Sequence, residues 1–317
     1  MTRPSVPRTL PPLEGLLVLD KPEGLSSARA TSRVRACLGA RKAGHSGTLD
    51  PSARGVLVCC LGRATRLASV LLRQPKTYEA VLTLGVETDT QDASGRPVAE
   101  RPVPELNPRV VEEVFRRFTG EILQEPPAYS ALKHEGLPLY AHARRGRIIR
   151  KPPRPVTVYA LRLRALEPPR VHFEVRCSAG TYIRTLAADI GAALGCGGHL
   201  SALARIECAG FRLEEACGLA DLEERARRGE DLRRLIVPMA RALRGVPAVT
   251  VEDDLARRIG RGGAIRREDL PHGAAPEAGW LQVFDRHGEL IALLEAAAAS
   301  ARLAYRAVFV DAEARGC

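Results

Sequence analysis

The residues best able to do chemistry lie in one stretch, Gly44-His-Ser-Gly-Thr-Leu-Asp-Pro-Ser-Ala53. It carries a single carboxylate, Asp50, five residues after His45, with Arg41 and Lys42 before the turn and Arg54 after it. Gly44 and Gly47 permit backbone conformations closed to other residues. Pro51 fixes its own φ and biases Asp50 towards an extended shape. An aspartate held on so restricted a loop projects into whatever cleft lies above it, which suits a nucleophile or a general base. Asp before Pro is also a common turn residue, so spacing alone leaves a structural duty open.

Tyr182 and Arg184 form a second candidate pair within Cys177-Ser-Ala-Gly-Thr-Tyr-Ile-Arg184. Two residues apart, they share one side of an extended stretch while Ile183 faces the core. In a helix they would diverge by about 200 degrees. The spacing therefore predicts that a strand or its exit turn carries both and that the helix starts just after them. An arginine there can pair with Asp50 and keep it ionised. Tyr78 can stack on a nucleobase and lend its hydroxyl to proton transfer, or it can be a core tyrosine on an alternating strand. His45, read as a loop residue, can wedge into the gap left by an extruded base or simply serve the turn. Leu203 can wall a pocket or fill a core. Asp89 and Asp92 could give Asp50 the second carboxylate of a glycosidase, but their setting at 88–95 reads as a loop.

Several elements must position these groups. Gly15–Pro22 reads as a buried strand stopped by proline, Ser26–Leu38 as a helix, Gly55–Leu61 as a buried apolar run and Thr65–Leu72 as a short helix. Lys76–Gly85 alternates, with Tyr78, Ala80, Leu82 and Leu84 on one face of a strand. Asn107 caps a helix that begins at Pro108 and ends before Gly120. Pro155–Glu167 and Val171–Cys177 are strands, Thr181–Leu194 is a helix stopped by Gly195, and Gly198–Phe211 is a further strand. Asp221–Arg228 reads as a short helix. The pattern resets around Leu243–Pro247, after which come a helix near Glu252–Ile259 and two strand-like runs, Trp280–Phe284 and Leu303–Val310. A Gly-turned hairpin or short helix is expected between those runs.

Residues 121–155 stand apart. They hold Lys133, His134, His142, Arg144, Arg145, Arg147, Arg150, Lys151 and Arg154 among six prolines, with room for one short helix near Leu137–Arg145. So long a cationic segment is unusual inside a compact domain; a loop that closes over a polyanion explains it, with a merely solvated insertion as the alternative. The whole chain agrees. Its 317 residues carry a net charge of +11, which implies an anionic partner, nucleic acid first and a membrane surface second. Of the 48 basic residues 43 are arginine, whose planar fork grips phosphate, although a GC-rich genome also enriches arginine. Eight cysteines without a C-x-x-C pair or zinc spacing fit a reducing cytosol, with Cys59 and Cys60 as buried apolar residues. No apolar run reaches membrane-spanning length, and 1–13 is Pro- and Arg-rich, as disordered tails are.

The Gly44–Pro51 stretch, with Val56–Gly62 and Ala64-Thr-Arg66, resembles the catalytic motif of the TruB family of tRNA pseudouridine synthases; Ser46 stands where that family commonly has Thr. Lys76-Thr-Tyr78, Leu84–Thr90 with Asp92, Pro127–Lys133, Cys177–Arg184 and Gly195–Leu203 extend the resemblance in order, across residues 15 to about 240. It implies an α+β pseudouridine synthase fold, with a mixed, mainly antiparallel central sheet flanked by helices and loops. It implies a disordered tail at 1–13, a catalytic domain at 14–243 with an RNA-clasping insertion at 121–155, and a small β-rich PUA-like domain at 244–317. A plain stabilising domain remains open for that last part. The activity implied is isomerisation of uridine 55 in the T-loop of tRNA, on a flipped-out base. Asp50 would be the nucleophile, with Tyr78 and Arg184 also catalytic, and His45, Tyr182, Leu203, Lys133 and Lys21 would contact substrate. The resemblance further implies a cytoplasmic monomer that binds the T-arm of tRNA and needs no cofactor, metal or membrane. A tRNA-folding chaperone with a secondary synthase activity is the alternative.

Overall fold

The computed structural model describes residues 13–271 and 273–309. The tail read at 1–13 lies outside the described residues except for Leu13.

Strand propensity and alternation build one large sheet. Its main path runs Cys217–Gly218, Gly15–Lys21, Arg54–Leu61, Gly198–Cys208, Lys76–Leu84, Arg170–Cys177, Arg154–Glu167 and Gly120–Gln124. Ala43–His45 pairs with Arg54–Leu61, and Phe211–Arg212 folds back on Gly198–Cys208. Gly15–Lys21 lies parallel to Cys217–Gly218, and Arg54–Leu61 lies parallel to Gly198–Cys208. The remaining neighbours on the path are antiparallel. The sheet is thus mixed and mainly antiparallel, as expected.

Two cores explain two sequence patterns. Lys76–Leu84 alternates because one face is covered: Tyr78, Ala80, Leu82 and Leu84 join Phe173, Val175, Leu186 and Ile190 in a single cluster. Helix Ile183–Ala193 packs there, and helix Pro108–Arg117 adds Val111, Val114 and Phe115. Asn107 caps the latter by accepting from the Val110 N–H at 3.2 Å, with Pro108 at its first position. Gly55–Leu61, all of the strand after the exposed Arg54, is apolar throughout because both its faces are covered. Val56, Val58 and Cys60 enter one cluster, and Leu57, Cys59 and Leu61 enter another.

The C-terminal part differs in detail from the reading. It forms a five-stranded sheet in the order Ala248–Val251, Gly279–Asp285, Leu290–Ala296, Arg302–Val308 and Ile265–Arg266. Leu290–Ala296, left between hairpin and helix by the sequence, is a central strand. Both of its faces are buried, so it carries no period-two signal. One face joins Leu281, Val283 and Ile291 in this sheet's own core. Leu290, Leu293, Ala307 and Phe309 join Leu67, Val70 and Leu71 beside the large sheet. Arg66 donates to the Val308 carbonyl at 2.5 Å, and Arg63 donates to the Phe309 carbonyl. The two sheets therefore share apolar surface. Among the described residues no helix is long and apolar enough to cross a membrane.

Candidate active site

The loop bearing Asp50 is pinned on both sides. Upstream, the buried Ser27 hydroxyl on helix Ser27–Cys37 accepts from the Leu49 N–H at 2.8 Å and donates to the Leu49 carbonyl at 3.0 Å. Downstream, the Pro51 carbonyl accepts from the Gly24 N–H at 2.7 Å. Gly47 needs to be glycine: its φ is +100°, and a Cβ there would lie 3.3 Å from the Lys76 side chain. Gly55 is held more tightly, with φ +103° and a would-be Cβ 2.3 Å from the Arg205 carbonyl oxygen. The aspartate's position is thus set by backbone and side-chain contacts on three elements.

Asp50 sits in a cleft of about 900 Å3. Its Oδ2 is 2.9 Å from Nε of Arg184, whose side chain is 6% exposed while that of Asp50 keeps 39%. The expected ion pair is present, and the charge is available to a bound molecule. The other donors of Arg184 are also engaged. Nη1 donates to the Thr90 carbonyl at 3.0 Å and lies 3.6 Å from Asp92 Oδ2; Nη2 donates to the Tyr129 carbonyl at 2.9 Å. Desolvation by the cleft walls pushes the Asp50 carboxyl above its ordinary value, and the neighbouring Asp92 adds to this, against the opposing pull of Arg184 and Lys21.

The backbone at Arg184 departs from the sequence reading. The helix begins at Ile183, one residue after Tyr182 and not after Arg184. Tyr182 is the extended N-cap, with φ −94° and ψ 110°, and Arg184 is already helical. Both still line the same cleft, because the change from extended to helical backbone falls between them.

Tyr78, His45 and Leu203 line this cleft as well. Tyr78 is 7% exposed, and burial pushes its phenol up to about 12. Such a group is a poor match for taking a proton at neutral pH, so the geometry favours stacking within its expected role. His45 ends the short strand Ala43–His45 and is not in a loop; its pairing with Cys59 was hidden by the surrounding glycines. Burial lowers its pKa, with the nearby Arg205 acting in the same direction, and its Nδ1 is buried without a partner among the described residues.

Two candidates stand elsewhere. Lys21 has no exposed surface, so it cannot touch a substrate in this structure. Its Nζ donates to the Leu25 carbonyl at 2.6 Å and the Pro22 carbonyl at 2.8 Å, and reaches the Pro51 carbonyl at 3.5 Å. Burial lowers its pKa to about 8, with Arg205 adding and Asp50 opposing. It braces the Asp50 loop from behind. Lys133 is exposed on a two-residue strand, Lys133–His134, outside the cleft lining. The insertion reaches the cleft instead through Tyr129, Ser130, Ala131, Tyr140 and Arg144, the last with its guanidinium 5.5 Å from the Tyr140 ring centroid.

Sequence reasoning gave no site role to two contributors, Arg205 and Lys76, and gave a third, Asp92, a role as a glycosidase carboxylate only. Arg205 is 1% exposed and lies directly opposite Tyr78 on the adjacent strand. It donates to the Val56 carbonyl at 2.7 Å and the Gly47 carbonyl at 3.0 Å, and its charge favours the ionised form of the Tyr78 hydroxyl. Only strand register could have revealed it. Lys76, buried and lining the cleft, was detectable as the same-face neighbour of Tyr78 two residues on. Asp92 is 7% exposed; its Oδ1 accepts from Thr90 Oγ1 at 2.7 Å and from the Ser94 N–H at 3.0 Å. A carboxylate so engaged, and shared with Arg184, is an ion-pair partner and not the proton-bearing acid that a glycosidase requires.

The cleft thus brings Asp50 into an ion pair with the buried Arg184, with Tyr78, Tyr182 and Arg205 around it. Residues 35–183 match the TruB family pseudouridylate synthase N-terminal domain, and residues 184–244 match the tRNA pseudouridylate synthase B C-terminal domain. A protein of Xanthomonas campestris pv. campestris (strain B100) called tRNA pseudouridine synthase B is 44% identical over 280 residues, covering 88% of this chain and 89% of its own. A Burkholderia lata protein of the same name is 45% identical over 283 residues, covering 89% and 86%. Among solved structures, a Cbf5-Nop10-Gar1 complex matches with a TM-score of 0.76 and 28% identity, over 95% of this chain and 86% of that one. An H/ACA RNP bound to a substrate RNA matches at 0.72 and 27%, over 95% and 86%. The chain belongs to the TruB family of pseudouridylate synthases and is an isomerase.

Proposed function

We propose that the chain isomerises uridine to pseudouridine at position 55 in the T-loop of tRNA, with Asp50 as the nucleophile on a flipped-out base. The observation that carries this is the Asp50–Arg184 pair at 2.9 Å, open on one side to a cleft that can hold a nucleotide. The names of the relatives support tRNA as substrate. In the reaction the N-glycosidic bond breaks, the uracil turns, and C5 joins the ribose carbon. C5 loses a proton and N1 gains one, so there is no net oxidation and no cofactor is required.

The residues take roles that follow from their placement. Asp50 attacks, and Arg184 holds its charge and direction. Tyr78 and Leu203 sandwich the turning base, and the neutral His45 offers its unpartnered Nδ1 to the RNA. Lys133, Arg145, Arg147 and Arg150 contact phosphate outside the cleft, which offsets the few kcal/mol of extruding a base. The C-terminal domain, 244–317 in the chain, extends the RNA-binding surface. The protein acts as a cytoplasmic monomer.

An unmodified T-arm stem-loop RNA tests this reading. Incubation with the purified chain alone gives pseudouridine at the one T-loop uridine, and replacing that uridine by cytidine abolishes the product. Conversion of stem uridines, or of none, contradicts it. The pH dependence follows from the site. Asp50 acts ionised and its carboxyl is raised, so kcat/KM falls with decreasing pH at values above the ordinary carboxylate range. An acid limb at or below that of a free aspartate would contradict the desolvated site.

A further inference from the structure

We propose that the insertion is coupled to the reaction through its two roots. Gln124 and Arg154 are positioning residues that together fix Tyr182, and through it the Arg184–Asp50 pair, so RNA seated on the insertion sets the geometry of the pocket. This rests on the function proposed above.

The roots are the last residue of strand Gly120–Gln124 and the first of strand Arg154–Glu167, and they are direct partners in the antiparallel ladder. Everything between them is insertion. Opposed residues of such a pair project from the same face. Here both reach the same short loop. Gln124, 1% exposed, grips the Tyr182 backbone at two points: the Tyr182 N–H donates to its Oε1 at 2.7 Å, and its Nε2 donates to the Tyr182 carbonyl at 3.0 Å. Arg154 lies with its guanidinium 5.2 Å from the Tyr182 ring centroid and donates to the Gly180 carbonyl at 2.7 Å. One root thus holds the backbone of Tyr182, and the other holds its ring.

Tyr182 is where this grip becomes catalytic geometry. It is the N-cap of helix Ile183–Ala193 and has no side-chain cap of its own. Its carbonyl also accepts from the Leu186 N–H at 3.0 Å, so the start of the helix turns on its placement. Arg184 follows two residues later. A third insertion contact, the Tyr129 carbonyl on Arg184 Nη2 at 2.9 Å, holds the same guanidinium from above the cleft. A residue that only satisfied buried polar groups would not explain why both roots and Tyr129 converge on 180–184.

Single-turnover reactions on the T-arm RNA with excess enzyme test the coupling. Q124M and R154M each slow the chemical step by about tenfold to a hundredfold, the cost of displacing a reacting group by roughly 1 Å. RNA affinity and thermal melting stay near the parent values. R154M acts mainly through the ring and in part through the Gly180 carbonyl, so on a Y182A background its effect is reduced; Q124M acts through the Tyr182 backbone, so its effect persists there in full. A parent chain that makes no pseudouridine defeats the function proposed above. A parent that converts RNA normally, with R154M changing only RNA affinity or remaining fully effective on Y182A, overturns the coupling. Should Q124M lose cooperative melting, the R154M series decides alone.

Discussion

Asp50→Asn abolishes pseudouridine formation in a T-arm RNA, a loss of at least about ten-thousandfold as for other nucleophile deletions, while RNA affinity changes by less than about threefold. The amide is isosteric with the carboxylate, and the anchors at Leu49 and Pro51 hold the loop by its backbone without touching the Asp50 side chain, so the fold is retained. Arg184 keeps the Thr90 and Tyr129 carbonyls and Asp92. What is lost is the anionic oxygen that attacks. Affinity survives if, as proposed, the phosphate contacts come from the insertion, away from Asp50. Filter binding of labelled RNA and quantitation of pseudouridine check the two halves. Residual conversion within about a hundredfold of the parent would remove Asp50 from the nucleophile's role.

Arg184→Met gives the second large effect. It lowers kcat by roughly a thousandfold, the upper range for loss of one preorganised electrostatic partner. The sign of its pH effect is opposite to simple inactivation. Arg184 is the chief group pulling the Asp50 carboxyl down against burial, so its removal raises that carboxyl further. The acid limb of kcat/KM then moves to higher pH than in the parent. Stability also falls, because Asp50 and Asp92 both lose their cation. Breaking a fully buried pair costs roughly 3–5 kcal/mol, and less applies here since the Asp50 side chain keeps 39% exposure. Arg184→Lys rescues little, since one ammonium cannot reach acceptors on three segments in the geometry of a planar fork. An acid limb that stays put in the methionine variant would contradict the pairing.

The sequence exposed those parts whose periodicity or chemistry is local. The alternation of Lys76–Leu84, the Asn107-Pro108 helix start and the doubly buried Gly55–Leu61 run all have short-range signatures, and the structure has all three. Asp50 was legible because glycines and a proline around one acid restrict its loop. What escaped was set by register and by long-range contact. Arg205 matters because it faces Tyr78 across a strand pair, and no window of sequence contains both. Gln124 and Tyr182 are 58 residues apart, and nothing in the segment around Gln124 marks its side chain as the partner of Tyr182. Gln91 adopts φ +62°, a left-handed backbone beside the cleft that a glycine would have announced and a glutamine did not. Lys21 was misplaced for a related reason. A lysine at a strand's end reads as solvated, and only the three carbonyls converging on its Nζ explain its burial.

The central claim is that an aspartate kept charged in a partly closed cleft rearranges one everted uridine. It is tested most directly by offering the purified chain an intact, unmodified tRNA transcript in buffer without cofactor and mapping pseudouridine at every uridine. The account predicts stoichiometric pseudouridine at position 55 and none elsewhere. An untouched transcript, or product spread over several uridines, would contradict it.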